Sequence, residues 1–438
     1  GAMIKTYKGN SISRDKLKKL QRKRLKKLVF YAKNNSAYFG KLYSCVDKDF
    51  SIEDLPPTNK VDMMKNFDGW LTDSSVIKQR IDEFTKDVDN VGRMLDGKYL
   101  VFKTSGSTGN PATILYDKSC IDVASAVAAF RTFARKEDFN AFMKNGKRTA
   151  GVFANYGFYL ACGMSRYLQL LMPNKKNKIT VDVNQSESEI IKELNDFAPS
   201  MLSGYPSNLA LLASYDELKI KPDVVITGGE LLTDEIREKL TNKFGCYVQT
   251  HYSCTEAGEI ACECSEGHLH INEDWIIVEP VDKNNKSVEC GVRADKVLIT
   301  NLSNFIQPII RYELTDRIIV HDEKCPCGKN TRWLEIEGRT DDVLEFENGV
   351  SIAPMSFYKI LEEIDDISRF QLAQKSSNKL ELRIVAKDRN AGFEKASAKL
   401  SAFLKEKGVF SVEIALSPDE PQANKASGKF KHVYKDFD

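Results

Sequence analysis

Apolar and polar positions alternate with a helical period over residues 13–33, "SRDKLKKLQRKRLKKLVFYAK", where Leu17, Leu20, Leu25 and Leu28 recur among many Lys and Arg. The spacing predicts an amphipathic helix with Ser13 as its N-cap and a solvated basic face. From about residue 100 to 300 the period changes. The runs "YLVFKT", "RTAGVFA", "PSMLSGY", "PDVVITGG" and "CYVQTHYS" read as buried strands. Between them, "SESEIIKELNDFA", "SNLALLASYDEL" and "TDEIREKLTNKF" read as helices. Such alternation predicts an α/β fold with a largely parallel sheet, whose ligands sit in loops at the carboxyl ends of strands. After Gly338 come a short strand-turn "VLEFENGVSI", a helix near "MSFYKILEEI", a strand "KLELRIVAK", another helix and a strand "FSVEIAL". We therefore divide the chain into a large domain over 3–338 and a small α+β domain over 339–438. Internal repeats are absent, as is any linker rich in Gly, Pro or Ser.

Three loops follow predicted strands: "TSGSTG" (Thr104 to Gly109), "GGE" (Gly228 to Glu230) and "YSCTEAG" (Tyr252 to Gly258). "TSGSTG" lacks the Gly-Lys-Ser/Thr closure of a Walker loop, yet glycines among hydroxyls give a backbone whose N–H groups can converge on an anion. A plain surface loop is the competing reading. Glu256 is a carboxylate of the kind that holds Mg²⁺ beside phosphate oxygens, and Asp316 in "RYELTDR" is one that accepts from ribose hydroxyls. Each is equally readable as a surface ion-pair partner. Lys429 follows Ser427-Gly428, a flexible approach able to deliver an ammonium into a site, although Lys425, Lys431 and Lys435 nearby also suit a solvated tail.

Ten cysteines are many for a cytoplasmic chain. Cys45, Cys120, Cys162, Cys246 and Cys290 are scattered, and most of them read as small core residues. "CECSEGHLHINED" (Cys262 to Asp274) and "CPCG" (Cys325 to Gly328) are clusters, and four ligands drawn from them suit tetrahedral Zn²⁺. The first arm offers more than it needs: Cys262, Cys264, His268 and His270. Reduced cysteines on metal-free loops are the alternative.

Bulk composition narrows the class of protein. A chain of 438 residues exceeds one core, and 42% apolar with 29% charged residues is ordinary for a globular protein. The net charge of +2, from 64 basic against 62 acidic side chains, gives no argument for nucleic acid or a membrane as partner. No apolar run approaches the roughly 18 residues of a membrane span, and no secretory signal pattern opens the chain. Gly1-Ala2 ahead of Met3 reads as the scar of a cleaved tag. The expected location is cytoplasmic.

As an ordered set, "TSGSTGNP", "GGE", "YSCTEAG", "RYELTDR", "EGRTDD" and "SGKFKHV" resemble the acyl-adenylate-forming superfamily, and within it the phenylacetate–CoA ligase branch. The opening segment "VFYAKNNSAYFGKLY" extends the resemblance over nearly the whole chain. The resemblance implies a large adenylate-forming domain and a small mobile C-terminal lid. It implies that Thr104, Ser105, Gly106, Ser107, Thr108 and Gly109 wrap the β- and γ-phosphates of ATP. Gly229, Glu230 and Tyr252 would line the adenine pocket, with Thr255 and Glu256 near the α-phosphate and Mg²⁺. Asp316 would take the ribose, Arg339 would lie at the nucleotide, Asp341 would be the hinge, and Lys429 would bridge carboxylate and α-phosphate. "HINED" resembles the branch's "HxxED" segment and selects Cys264, His270, Cys325 and Cys327 as ligands of a structural Zn²⁺.

The implied activity is ATP-dependent conversion of a carboxylic acid to an acyl-adenylate and then to an acyl–coenzyme A. Tyr156, Phe158, Tyr205 and Cys254 are expected at the acyl pocket, weakly favouring an aryl or arylacetic acid, though core packing explains the aromatics equally well. Two features depart from the wider pattern. "NPAT" replaces the Lys that often follows the glycine loop, as the branch tends to have, and Cys254 stands where Gly is usual. Transfer to a carrier-protein thiol or an amine is a second reading, with the basic N-terminal helix as a dock for an acidic carrier. A zinc-stabilised nucleotide-binding protein without catalysis is a third, which needs neither Glu256 nor Lys429. A homodimer is left open.

Overall fold

A computed structural model describes residues 1–104, 111–155, 157–172, 176–339, 343–352, 354–424 and 428–437. The chain forms two compact units. The larger takes in Gly1–Leu314 and Ile319–Glu335; the smaller takes in Thr315–Ile318 and most of the chain from Ile336 onward.

In the larger unit the strands are β1 (Leu100–Lys103), β2 (Thr113–Tyr116), β3 (Thr149–Phe153), β4 (Lys178–Asp182), β5 (Met201–Gly204), β6 (Val224–Gly228) and β7 (Tyr247–Cys254). There follow β8 (Gly258–Glu263), β9 (Leu269–Ile271), β10 (Ile276–Val281), β11 (Lys296–Asn301) and β12 (Tyr312–Leu314), while β13 (Asp316–His321) and β14 (Trp333–Arg339) each have residues in both units. A nine-stranded sheet has the order β13-β14-β9-β8-β7-β6-β5-β3-β4. Strands β3 to β7 pair in parallel, while β7, β8, β9 and β14 pair antiparallel. The predicted strands of this region all form, with one correction of place. β1, from "YLVFKT", lies outside the large sheet and pairs antiparallel with β2, in the register Leu100↔Tyr116 to Lys103↔Thr113. An antiparallel partner so close in sequence needs no crossover helix, unlike the parallel neighbours of the large sheet.

The connecting helices carry their own punctuation. Ser186 and Glu189 form a capping box at the start of Glu187–Phe197. Thr233 caps Asp234–Phe244, which ends on left-handed Gly245. The helix predicted from "SNLALLASYDEL" is shorter, ending at Leu212. After a short helix Ala2–Gly9, the predicted basic N-terminal helix runs Arg14–Asn35 and buries Leu17, Leu25 and Leu28, but the Ser13 side chain makes no capping bond. A tertiary contact holds that end instead, Arg14 pairing with Glu273, while mid-helix the Arg24 guanidinium donates to the Asp274 carbonyl.

The β1–β2 hairpin carries the glycine–hydroxyl loop, so its anchoring decides where that loop emerges. Leu115 N–H donates to Gln307 Oε1 at 2.6 Å, and Gln307 Nε2 donates to the Thr113 carbonyl at 3.1 Å. Asn304 Nδ2 donates to the Leu115 carbonyl at 2.8 Å. These side chains pair the β2 edge that β1 leaves free. Both carboxamides are fully buried, where an unpaired backbone group would be costly.

The smaller unit contains β15 (Leu344–Glu345), β16 (Ser351–Ile352), β17 (Ile367–Ser376), β18 (Lys379–Ala386), β19 (Glu413–Leu416) and β20 (Val433–Lys435). Its four-stranded sheet is ordered β19-β18-β17-β20, and helices Pro354–Glu362 and Arg389–Glu406 are its two long helices. Phe357, Leu361, Leu372, Leu382, Ala396 and Leu400 belong to one buried cluster. Among the described residues no helix is long and apolar enough to cross a membrane.

Replacing Gln307 with Leu leaves Leu115 N–H and the Thr113 carbonyl buried without partners. The expected cost is about 3 kcal/mol, read as a lower denaturant midpoint at unchanged slope. A loss under about 0.5 kcal/mol would mean that the clamp does not hold the hairpin.

Candidate active site and metal centre

Ser105, Gly106, Ser107, Thr108 and Gly109 lie outside the described residues, as do Tyr156 and Asp341. Thr104 closes the neck of the loop: its N–H donates to the Ala112 carbonyl at 2.9 Å, and its hydroxyl accepts from Ala112 N–H at 2.8 Å. From the far end of the hairpin, buried Tyr116 donates to the Thr255 carbonyl at 2.9 Å. The strand that leads from the glycine loop is thus bonded to the "YSCTEAG" segment at the carboxyl end of β7.

That segment presents Tyr252, Cys254, Thr255 and Glu256, with Tyr252 and Glu256 buried. Gly258, at φ +72°, takes the sharp turn into β8 that a side chain rarely adopts. Burial raises the Glu256 pKa, and hydrogen bonds from its own backbone, Cys254 and Tyr312 offset only part of that rise. Tyr312 Oη donates to Glu256 Oε1 at 3.3 Å, and Asn301 Nδ2 donates to the Glu256 carbonyl at 3.2 Å.

His251, just upstream, lies with Glu259 and Cys262 in a cluster whose ligand atoms are within 4.8 Å of one another. Hydrogen bonding gives the ring another use. Gln249 Oε1 accepts from Ala134 N–H and its amide nitrogen donates to the Thr132 carbonyl, so its NH₂ faces His251 Nε2 at 3.1 Å. Nε2 also lies 3.2 Å from the Thr132 carbonyl and Nδ1 lies 3.6 Å from Glu259; burial opposes the ring's charge, but these acceptors raise its pKa. The imidazole braces β7 against β8.

The other expected residues are distributed as follows. Gly229 has φ +80°, and the neighbouring Glu230 carboxylate accepts from Ser207 N–H at 3.2 Å. Tyr205 is buried edge-on to Phe153, with ring centroids 5.3 Å apart. Phe158 is buried with its ring 6.1 Å from that of Phe84. Asp316 and Arg339 are neighbours, 3.7 Å apart, and Arg339 also donates to the Thr315 hydroxyl at 2.6 Å. Arg311 of "RYELTDR" serves the frame: at φ +47° it turns its guanidinium into an ion pair with Glu279 at 3.0 Å.

The two cysteine segments meet. Ligand atoms of Cys264, His270, Cys325 and Cys327 all lie within 4.8 Å of one another. Cys264 and Cys325 sulfurs are 3.8 Å apart, and Cys327 Sγ is 3.3 Å from His270 Nε2. His270 Nδ1 faces the Thr331 carbonyl at 3.1 Å and hydroxyl at 3.0 Å. That contact places the ring proton on Nδ1 and turns the Nε2 lone pair toward the sulfurs, the outer-shell arrangement of metal-bound imidazole. Burial lowers the His270 pKa to about 4, which keeps the ring neutral and able to ligate. Four donors of this chemistry fit a closed tetrahedral Zn²⁺. Sequence reasoning left the surroundings unread: Trp333 is stacked between His268 and His321, with centroids 3.9 Å away on either side. His268 Nδ1 lies 3.3 Å from Cys325 Sγ.

No family model matches the chain. It is 27% identical over 377 residues to a phenylacetate–coenzyme A ligase of Thermus thermophilus, covering 82% of this chain and 78% of that protein. A phenylacetate–coenzyme A ligase of Aromatoleum evansii is 26% identical over 374 residues, covering 80% and 76%. The chain is thus similar in sequence to phenylacetate–coenzyme A ligases. Protein CapK of Staphylococcus aureus is also similar, at 22% identity over 348 residues, 74% of this chain and 68% of that one. Among solved structures, 2-hydroxyisobutyryl-CoA ligase in its postadenylation state shares the fold with a TM-score of 0.69 at 15% identity, over 98% of this chain and 91% of that one.

The acids of "HINED" stand beside the Cys–His quartet and hold its frame. Glu273 is buried and accepts from the Arg332 side chain and backbone at 2.8 and 2.9 Å. Burial alone would raise its pKa, but Arg332 and Arg14 bring it below the ordinary range. Asp274 takes both oxygens to Arg131, at 2.8 and 2.9 Å.

Glu256→Gln tests the cost of the buried carboxylate. Because the folded pKa is raised, the ionised form penalises folding fully above that pKa, and the penalty vanishes below the ordinary carboxylate range of about 4.3. The variant is expected to melt a few degrees higher at about pH 7.5, with the gain fading toward about pH 4. A lower melting temperature at about pH 7.5 would contradict this.

Proposed function

We propose that the chain is an AMP-forming acid–thiol ligase: it activates a small carboxylic acid with ATP to an acyl-adenylate and transfers the acyl group to coenzyme A. The observation that carries this reading is the bond from Tyr116 to Thr255, which ties the strand following the glycine–hydroxyl loop to the segment holding Glu256. Kinship to phenylacetate–coenzyme A ligases supports the reaction class, and an aryl or arylacetic acid is the proposed substrate.

The carboxylate oxygen attacks the α-phosphorus of ATP, the P–O bond to the β-phosphate breaks, and pyrophosphate leaves. Both reactants are anions, so the site must supply positive charge. In this reading the glycine loop holds the β- and γ-phosphates, while Gly229, Glu230 and Tyr252 flank the adenine. Asp316 accepts from the ribose and Arg339 lies at the nucleotide. Lys429 supplies an ammonium between carboxylate and α-phosphate. Glu256 is the proposed Mg²⁺ ligand, the ion serving to neutralise phosphate charge. Thr255 lies next to it at the α-phosphate. Asp341 is the proposed hinge on which residues from 339 onward act as a lid, admitting the thiol after adenylation.

Zn²⁺ at Cys264, His270, Cys325 and Cys327 is proposed as structural, with Thr331 orienting His270. A second reading, transfer to an acidic carrier protein, has one supporting observation: Lys16, Lys18, Lys19, Arg22 and Lys23 are all exposed on the N-terminal helix. Salt-sensitive turnover with a carrier and none with coenzyme A would favour it.

Carboxylate-dependent ATP–pyrophosphate exchange over aryl, arylacetic, fatty and amino acids tests adenylation directly. Exchange is expected with an aryl or arylacetic acid, and silence across the panel in protein that binds ATP would sink the reading. Lys429→Ala should lower exchange by about 100-fold or more while ATP affinity stays within about threefold. For the metal, elemental analysis should find about one zinc per chain, lost in Cys327→Ser together with thermal stability. A fully folded, zinc-free protein purified without chelator would refute the zinc site.

A further inference from the structure

Lys429 lies between β19 and β20, on a loop whose outgoing arm includes Gln422 and Asn424 and whose returning arm runs from Gly428 to His432. Asn424 N–H donates to the Lys429 carbonyl at 2.8 Å, which joins the two arms near the lysine. Behind them stands Gln371 on β17, 4% exposed. Its Nε2 donates to the carbonyls of Gln422 and Lys431, both at 3.0 Å, one on each arm. Its Oε1 accepts from Gln422 N–H at 3.3 Å and from Arg383 Nη1 at 3.2 Å. Two donors and two acceptor sites are all that a carboxamide has, and all are used. Leu372 N–H adds a bond to the His432 carbonyl at 2.7 Å, and the Arg369 guanidinium lies 4.6 Å from the ring of buried Phe430.

We propose that Gln371 is a positioning residue for Lys429: it fixes the separation of the two loop arms and so sets where the lysine backbone begins. This rests on the reading that Lys429 acts in adenylation. A lysine reaches through a long flexible stem, so the place of its Cα limits how often the ammonium meets its target. Isosteric replacements frustrate the clamp in different ways. Methionine keeps length and removes every bond. Glutamate keeps the acceptors but sets an oxygen against two carbonyl oxygens.

The test separates the half-reactions, using the acid that supports exchange in the unaltered protein. Gln371→Met should lower the exchange kcat by about 10- to 100-fold, with the KM for ATP within about twofold. Thioester formation from supplied acyl-adenylate and coenzyme A should stay within about threefold. In a Lys429→Ala background Gln371→Met should cost nothing further, because the group it positions is gone. Amide hydrogen exchange at Gln422 and Asn424 should quicken in Gln371→Met, a readout that needs no substrate. Equal losses in both half-reactions, additive losses in the double variant, or unchanged exchange at those amides would overturn the proposal. Should Gln371→Met not fold, Arg383→Met removes one support of the amide and should shift the same readouts in the same direction. If Lys429→Ala itself keeps full exchange, the role of Lys429 fails, whatever Gln371 does.

Discussion

A neutral carboxamide set beside a backbone edge that has no strand to pair with is the interaction on which this fold most depends. Gln307 and Asn304 do this for β2, and without them the hairpin beneath the glycine loop would bury unpaired amides. Gln374, fully buried, does the same for the β15–β16 hairpin, donating to the Glu345 carbonyl at 2.8 Å while accepting from Glu345 N–H at 3.2 Å. Gln249 links the Thr132–Ala134 turn to β7. The residue type suits this use. A carboxamide offers donor and acceptor side by side, matching the N–H and C=O of a strand edge, and carries no charge whose desolvation would offset the gain.

Charge is buried as well, but only where several partners share it. Glu273 binds Arg14 and Arg332, and Asp274 binds Arg131 on both oxygens, so two adjacent residues tie the N-terminal helix, the helix Lys118–Arg131 and the segment after the second cysteine pair to one point. A buried ion pair adds little net stability over apolar packing, yet removing one partner strands the other. Such pairs therefore serve to fix which segments meet. Here the meeting brings the segment that carries Cys264 and His270 to the strand that begins at Trp333, with His270 opposite Trp333 in the β9–β14 register.

The same physics explains what was legible in the sequence. Apolar runs over Ala150, Val152, Leu202, Val224 and Val225 declared the parallel strands, because both faces of that sheet are covered and the runs are nearly continuous. The meeting of Cys264, His270, Cys325 and Cys327 was legible because these side chains are chemically distinctive and lie in two short segments. The longest strand of the smaller unit, β17, went unread. Its sequence "ISRFQLAQKS" interrupts the apolar pattern with Gln371 and Gln374, which a periodicity argument counts as exposed although both are buried fasteners. β1 was read as a strand but assigned to the wrong sheet, since a short buried run looks the same whichever partner it finds. Ser13 had the right residue type and place for a cap, but the helix end is held by Arg14, whose distant partner Glu273 no local pattern names.

Glu256 stands out against this background. It is buried, its ionised form is disfavoured by that burial, and its neighbours Tyr312 and Cys254 are groups that a glutamine would satisfy about as well. Elsewhere the fold meets similar demands with a neutral amide, and where it does bury a carboxylate, at Glu273 and Asp274, it surrounds it with guanidinium groups. Glu256 has no such ion pair with an arginine among the described residues. Lys60 and the hydrogen bonds lower its pKa in part, yet burial still leaves it raised, so a charge kept there costs the empty protein and a cation arriving from outside would offset the remainder. That asymmetry is what the proposed Mg²⁺–nucleotide role requires: the carboxylate binds most strongly when the ion is present, and the energy withheld from folding becomes affinity for the ion.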